Sequence, residues 1–205
     1  MKAAPEKQEE WVKEYLALAD DTPSEEPIVF MDAVHPTMAT KITCGWIKKG
    51  VDKPIAQTAS RTRVNVIGAI ELKTMTVHHS MVDVVNAITI FAFFQQLKAA
   101  YPNAPKIHVI LDQAGYHRSH MLQKQAEELG IVLHLLPAYS PNLNPIERLW
   151  KVMNEHARNN VFFKSAQQFK NKIAHFFNKT VNEIKPALRK RINDNFQIIN
   201  PVPSG

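Results

Sequence analysis

Two short apolar runs, Ile107–Leu111 and Ile131–Leu136, flank a polar turn and a stretch of helix length, Ser119–Leu129, that ends at Gly130. A strand, a crossover helix and a second strand in this order mark parallel pairing. The segments upstream pair differently. Ile28–Val34, Ile42–Ile47 and Val64–Ile70 read as strands, with Gly45, Gly50 and Pro54 at turns between them, and Thr74–His79 as a possible further strand. Asp83–Ala100 has helix length, is apolar nearly all round and is expected to be well buried. Residues 5–20 read as an amphipathic helix closed by Asp-Asp-Thr-Pro. Helices are also expected over 145–158, 165–179 and 182–192, the second opened by the capping-box pattern Ser165-x-x-Gln168. The order predicts an α/β protein with a mixed sheet and helices packed on it, a layout that fits a ribonuclease-H-like fold but also other α/β folds.

Composition removes several classes. The single Cys44 rules out a disulfide scaffold or a Cys-based zinc site, and is expected to be a small core residue. The longest nearly apolar stretch, Ala87–Phe94, is far short of the roughly 20 residues that cross a bilayer. The polar, acidic N-terminus is no signal peptide. A soluble protein of a reducing, cytoplasmic compartment is expected, with no membrane partner. Charge is uneven: residues 1–26 carry eight acids and three lysines, and the remaining 179 carry a net +11, eight of it from Arg148 onward. Such a body suits a polyanion, most simply DNA, although a solvated basic surface fits charge alone equally well.

Three acids stand where acids are costly. Asp32 lies within the strand IVFMDAV, on the face of Phe30 and Val34, and must pair, bind metal or reach water from an edge. Asp112 closes the strand IHVIL at a position where α/β sheets place ligands, although taken alone a plain Asx-turn residue is the commoner reading. Glu147 falls at the third helical position after Asn144 as N-cap and Pro145, a capping-box site. Together they can meet above one edge of the sheet. Three carboxylates so placed repel, and a divalent cation removes the conflict; all-oxygen ligation favours Mg²⁺ or Mn²⁺ over zinc.

The segments FMDAVHP (30–36), GWIKKG (45–50), VILDQAGYH (109–117) and LLPAYSPNLNPIERLW (135–150) resemble those of DDE transposases, in particular the bacterial insertion-sequence-630 family of the mariner-like superfamily. Thirty-four residues separate Asp112 from Glu147, the spacing usual there. The resemblance implies a ribonuclease-H-like fold with a mixed five-stranded sheet and helices on both faces. It makes Asp32, Asp112 and Glu147 the catalytic, metal-binding triad, served by two Mg²⁺ or Mn²⁺ ions. It implies cut-and-paste cleavage and strand transfer on transposon ends at a TA target, in a nucleoid-associated protein able to form a homodimer. His117 matches the His that ends the family's second motif and is a candidate contact to the scissile phosphate; Arg148 and Lys151, which flank Glu147, and Lys48 and Lys49, at an expected turn, are further candidate nucleic-acid contacts, each also readable as a surface residue. Ala33 and Gln113 depart from the acidic residue and the Asn usual after the first and second Asp.

Three regions are expected: an acidic helix and linker (1–26), the DDE catalytic domain (27–180), and a basic helix and tail (181–205). Family members carry helix-turn-helix domains before the catalytic domain, so a separate or missing end-binding module is also expected. Two alternatives remain at this point, a ribonuclease-H-like nuclease that only hydrolyses and a non-catalytic DNA-binding remnant. His35, His78 and His79 are read as structural, and Trp46 and Trp150 as packing residues.

Overall fold

A computed structural model describes residues 4–115 and 119–198. Its centre is a five-stranded sheet built from β1 (Ile28–Val34), β2 (Asn65–Glu71), β3 (Thr76–Val82), β4 (Ile107–Leu111) and β5 (Ile131–Leu135), in the order β3-β2-β1-β4-β5. β1, β2 and β3 pair antiparallel, while β4 is parallel to both β1 and β5. The expected mixed sheet is present, with β1 at its centre.

Strand alternation divides the molecule into two cores. Val29, Met31, Ile67, Ala69, Val109 and Leu111 face α2 (Ala87–Ala100) and α3 (His120–Glu128), where Phe93, Phe94 and Leu122 fill the layer. Phe30, Val66, Ile70 and Ile110 face the other way, onto α1 (Pro5–Asp21), α4 (Ile146–Ala157) and α5 (Ala166–His175). The chain then runs through a π-helical turn (Phe176–Thr180), α6 (Val181–Glu183) and α7 (Lys185–Arg191), whose Leu188 joins the same core. The last two expected helices are therefore divided differently. α2 also starts later than its apolar run, because Asn86 caps it: the Asn86 side chain accepts from Thr89 N at 3.0 Å, and Thr89 Oγ1 accepts from Asn86 N at 3.0 Å. Its burial is partial, with Ile88 73% exposed.

The expected strand over 42–47 is absent. Residues 36–64 instead form a long two-limbed arm between β1 and β2, laced by Met38 N to Thr62 O (2.8 Å) and Thr40 N to Thr58 O (3.0 Å). It turns at Gly50, whose φ of 80° suits glycine. The run fails as a strand because, among the described residues, no sheet edge or apolar layer meets it. Cys44 is exposed and Trp46 fully so, against the packing roles expected of them. The arm's root is gripped from beyond α4: Arg158 Nε donates to Thr37 O (2.8 Å), and Asn160 exchanges bonds with Thr43 (2.9 and 3.0 Å). Among the described residues, no helix is long and apolar enough to cross a membrane.

Candidate active site

Because β1 and β4 run parallel, their C-terminal ends open on the same edge of the sheet. Asp32 is the fifth of seven residues in β1, and Asp112 follows directly on β4. The chain leaving β5 crosses that edge through a 3₁₀ turn (Pro141–Leu143) and enters α4, which carries Glu147 in its first turn. These three acids, from three separate elements, line one cavity of about 480 Å³ with Gln113, Tyr139, Ser140 and Asn144.

The carboxylates sense one another. Burial pushes the Glu147 carboxyl above the usual range, the charge of Asp32 adds to the rise, and Asp112 adds a smaller push. Lys151, one helical turn on, opposes it. Asp112 also makes the Asx-turn its local sequence allowed, with Oδ1 accepting from Ala114 N at 3.1 Å. Among the described residues, no three His, Cys, Asp or Glu side chains stand close enough together to hold an ion as placed. The chemistry of the lining nonetheless suits one: three carboxyl groups around one cavity, whose mutual repulsion a hard divalent cation would relieve.

The capping expectation for Asn144 fails. α4 begins after Pro145 without a side-chain cap, and Asn144 Nδ2 instead donates to Met31 O of β1 at 3.3 Å. Asn144 Oδ1 is buried without a hydrogen-bond partner among the described residues. Gln113 Nε2 donates to Leu136 O at 3.0 Å, tying the end of β4 to the end of β5. Trp150 is buried as expected, but it also donates Nε1–H to Asp32 Oδ2 at 2.9 Å. Sequence reasoning missed these contacts. The available signal was the position of Asn144 and Trp150, three residues either side of Glu147.

The other candidates are dispersed. Lys48 and Lys49 are exposed near the arm's turn, and Arg148 is held by Asn193, to whose backbone O it donates at 2.7 Å. His117 lies outside the described residues. His35 pairs with Asn65 (2.8 Å), His78 with the Tyr101 hydroxyl (2.9 Å), and His79 stacks on Phe177.

A family model described as "DDE superfamily endonuclease" matches residues 27–170. The chain belongs to this family. A relative in Shigella sonnei, an uncharacterized 39 kDa protein of insertion element IS630, is 26% identical over 175 residues, covering 84% of this chain and 50% of the relative. The fold matches the Mos1 strand transfer complex with a TM-score of 0.65 at 16% identity, over 98% of this chain and 64% of that one. It also matches a Mos1 transposase catalytic domain solved with raltegravir and Mn, with a TM-score of 0.58 at 15% identity, over 91% and 90% of the two chains. The DDE endonuclease therefore has the ribonuclease-H-like fold of mariner-type transposases, and its family chemistry uses divalent metal. It spans about half the length of the IS630 relative.

Proposed function

We propose that this DDE endonuclease is the catalytic unit of a cut-and-paste DNA transposase, centred on residues 27–180, with Asp32, Asp112 and Glu147 as its metal-holding acids. The observation that carries the reading is one cavity at the C-terminal edge of a mixed sheet, walled by three acids recruited from β1, β4 and α4. Mg²⁺ or Mn²⁺, as a pair of ions, would supply Lewis-acid activation of the attacking oxygen and charge stabilisation of the leaving one. The protein's part is positional. β1 and β4 fix two acids on a rigid edge, and α4 brings the third across it. In the first step water would attack a phosphodiester at a transposon end and displace a 3′-hydroxyl; in the second that hydroxyl would attack a target phosphodiester at a TA step and displace the target strand's own 3′-hydroxyl.

DNA would reach the cavity past Lys151, with Lys48, Lys49, Arg148 and His117 as further phosphate contacts. Phosphate contacts give register and affinity but little sequence information. Recognition of element ends would then fall to a helix-turn-helix module, and pairing of two ends to a homodimer working at the nucleoid. The test is nicking of supercoiled plasmid with Mg²⁺ or Mn²⁺. Asp32→Asn, Asp112→Asn and Glu147→Gln should each lose at least about 10³-fold in rate, roughly 4 kcal/mol of transition-state stabilisation. Full cleavage by Glu147→Gln would leave Glu147 as no more than a helix-start residue.

A further inference from the structure

The Trp150 ring lies where a side chain on β2 would otherwise be. Gly68 is the cross-strand partner of Asp32, and a Cβ built there would meet Trp150 Cη2 at 2.5 Å. The bare backbone of Gly68 lets the indole settle on the sheet beside Asp32, and Phe177 closes it off with ring centroids 6.2 Å apart, edge to face. Trp150 is only 3% exposed, so its N–H is not spent on bulk water; it meets Asp32 Oδ2 at 2.9 Å.

An indole N–H is a donor that does not titrate and carries no charge. A Lys or Arg in its place would fix the carboxylate but cancel the negative charge that a cation needs. The indole restrains the rotamer and leaves that charge intact. Asn144 does the same for the backbone one residue earlier, through Met31 O, and the carbonyl it faces sets its amide so that Oδ1 is the buried atom left unpaired. The two contacts reach β1 from either side of Glu147.

We propose that Trp150 is a positioning residue that presents Asp32 to the metal and fixes the distance between β1 and the helix carrying Glu147. This rests on the metal-site reading above. Removing an outer partner of a metal ligand typically weakens affinity by 10- to 100-fold.

The experiment uses the full chain and measures Mn²⁺ affinity by calorimetry for wild type, Asp32→Asn, Trp150→Phe and Val152→Ala. Val152, buried in the same helix, serves as the control for lost core packing. The expected result is at least tenfold weaker Mn²⁺ binding in Trp150→Phe, wild-type affinity in Val152→Ala and none in Asp32→Asn. Wild-type affinity in Trp150→Phe, with binding lost in Asp32→Asn, overturns the positioning role and leaves the metal site standing. Equal weakening in Val152→Ala overturns it too, since packing alone would explain the loss. Unchanged binding in Asp32→Asn removes the metal site itself. If Trp150→Phe does not fold, wild type carries the test through its three indole N–H resonances, assigned with Trp11→Phe and Trp46→Phe. On Mg²⁺ addition the Trp150 resonance should shift more than that of the fully exposed Trp46, and an unmoved Trp150 resonance overturns the proposal.

Discussion

Ionising Glu147 in the fold removes part of its hydration and sets its charge beside Asp32 and Asp112, so the fold holds its proton more tightly than an unfolded chain does. Linkage gives the sign: a raised folded value contributes stability that is whole below the ordinary carboxyl range and is lost as pH rises through the folded value. In the absence of metal, Glu147→Gln should thus melt higher than wild type at pH 7, with the gap closing towards pH 4. Equal gaps at both pH values would mean that the cost of ionising Glu147, from burial and from the neighbouring acids, is not the cause. His134 works in the opposite sense. Burial, then the neighbouring His108, bring it down to about 4, and His108 is bonded in turn to Glu26 at 3.1 Å. An imidazole kept neutral by the fold contributes stability above its ordinary value near 6.5 that is lost as pH falls to about 4. After discounting for partial exposure, that loss should be on the order of 1–2 kcal/mol. His134→Gln should flatten the slope of melting temperature against pH across this window, and a slope equal to wild type would place the acid sensitivity elsewhere.

Elements whose signals are local were readable from the chain. β4, α3 and β5 announce themselves by apolar runs, a polar turn and Gly130, and both strands fall within a residue of expectation. Ser165 accepts from Gln168 N at 3.2 Å as its spacing suggested, although the Gln168 side chain reaches Lys164 N and not Ser165 N. Ser165→Ala should cost about 1 kcal/mol in denaturant unfolding. The arm was misread because what shapes it lies far away in sequence: ITCGWI has strand-like residues, but its support comes from Arg158 and Asn160. The three acids were visible as misplaced charges, whereas the Trp150 N–H that meets Asp32 and the Asn144 amide that meets Met31 O were not, since a Trp or Asn inside a helical motif gives no hint of which strand it will touch. Gly68 shows how narrow the fit is. Gly68→Ala should destabilise by about 1–3 kcal/mol through overpacking against the indole, and should weaken metal binding as Trp150→Phe does. A melting curve and a Mn²⁺ titration on one preparation check both.

Across the whole molecule, charge and topology act at different ranges. The net +11 beyond residue 26 should draw any duplex through its phosphates, so binding should tolerate sequence changes and fall steeply with salt. Fluorescence anisotropy across a salt series checks this; replacing Lys48 and Lys49 with Ala should lower the log–log slope by up to about 2 if both touch phosphate. A 100-fold preference for element ends over scrambled DNA, about 2.7 kcal/mol, would mean that these residues read sequence themselves. The topology carries one more consequence, in time. Asp32 sits on the central strand, yet the cavity that it lines is walled by residues as far along the chain as Glu147. On the ribosome β1 emerges early and must wait for β4, β5 and α4 before its acid has company. On the function proposed above, a half-made chain would hold no assembled centre, and any capacity to cut DNA would arrive only with the finished domain.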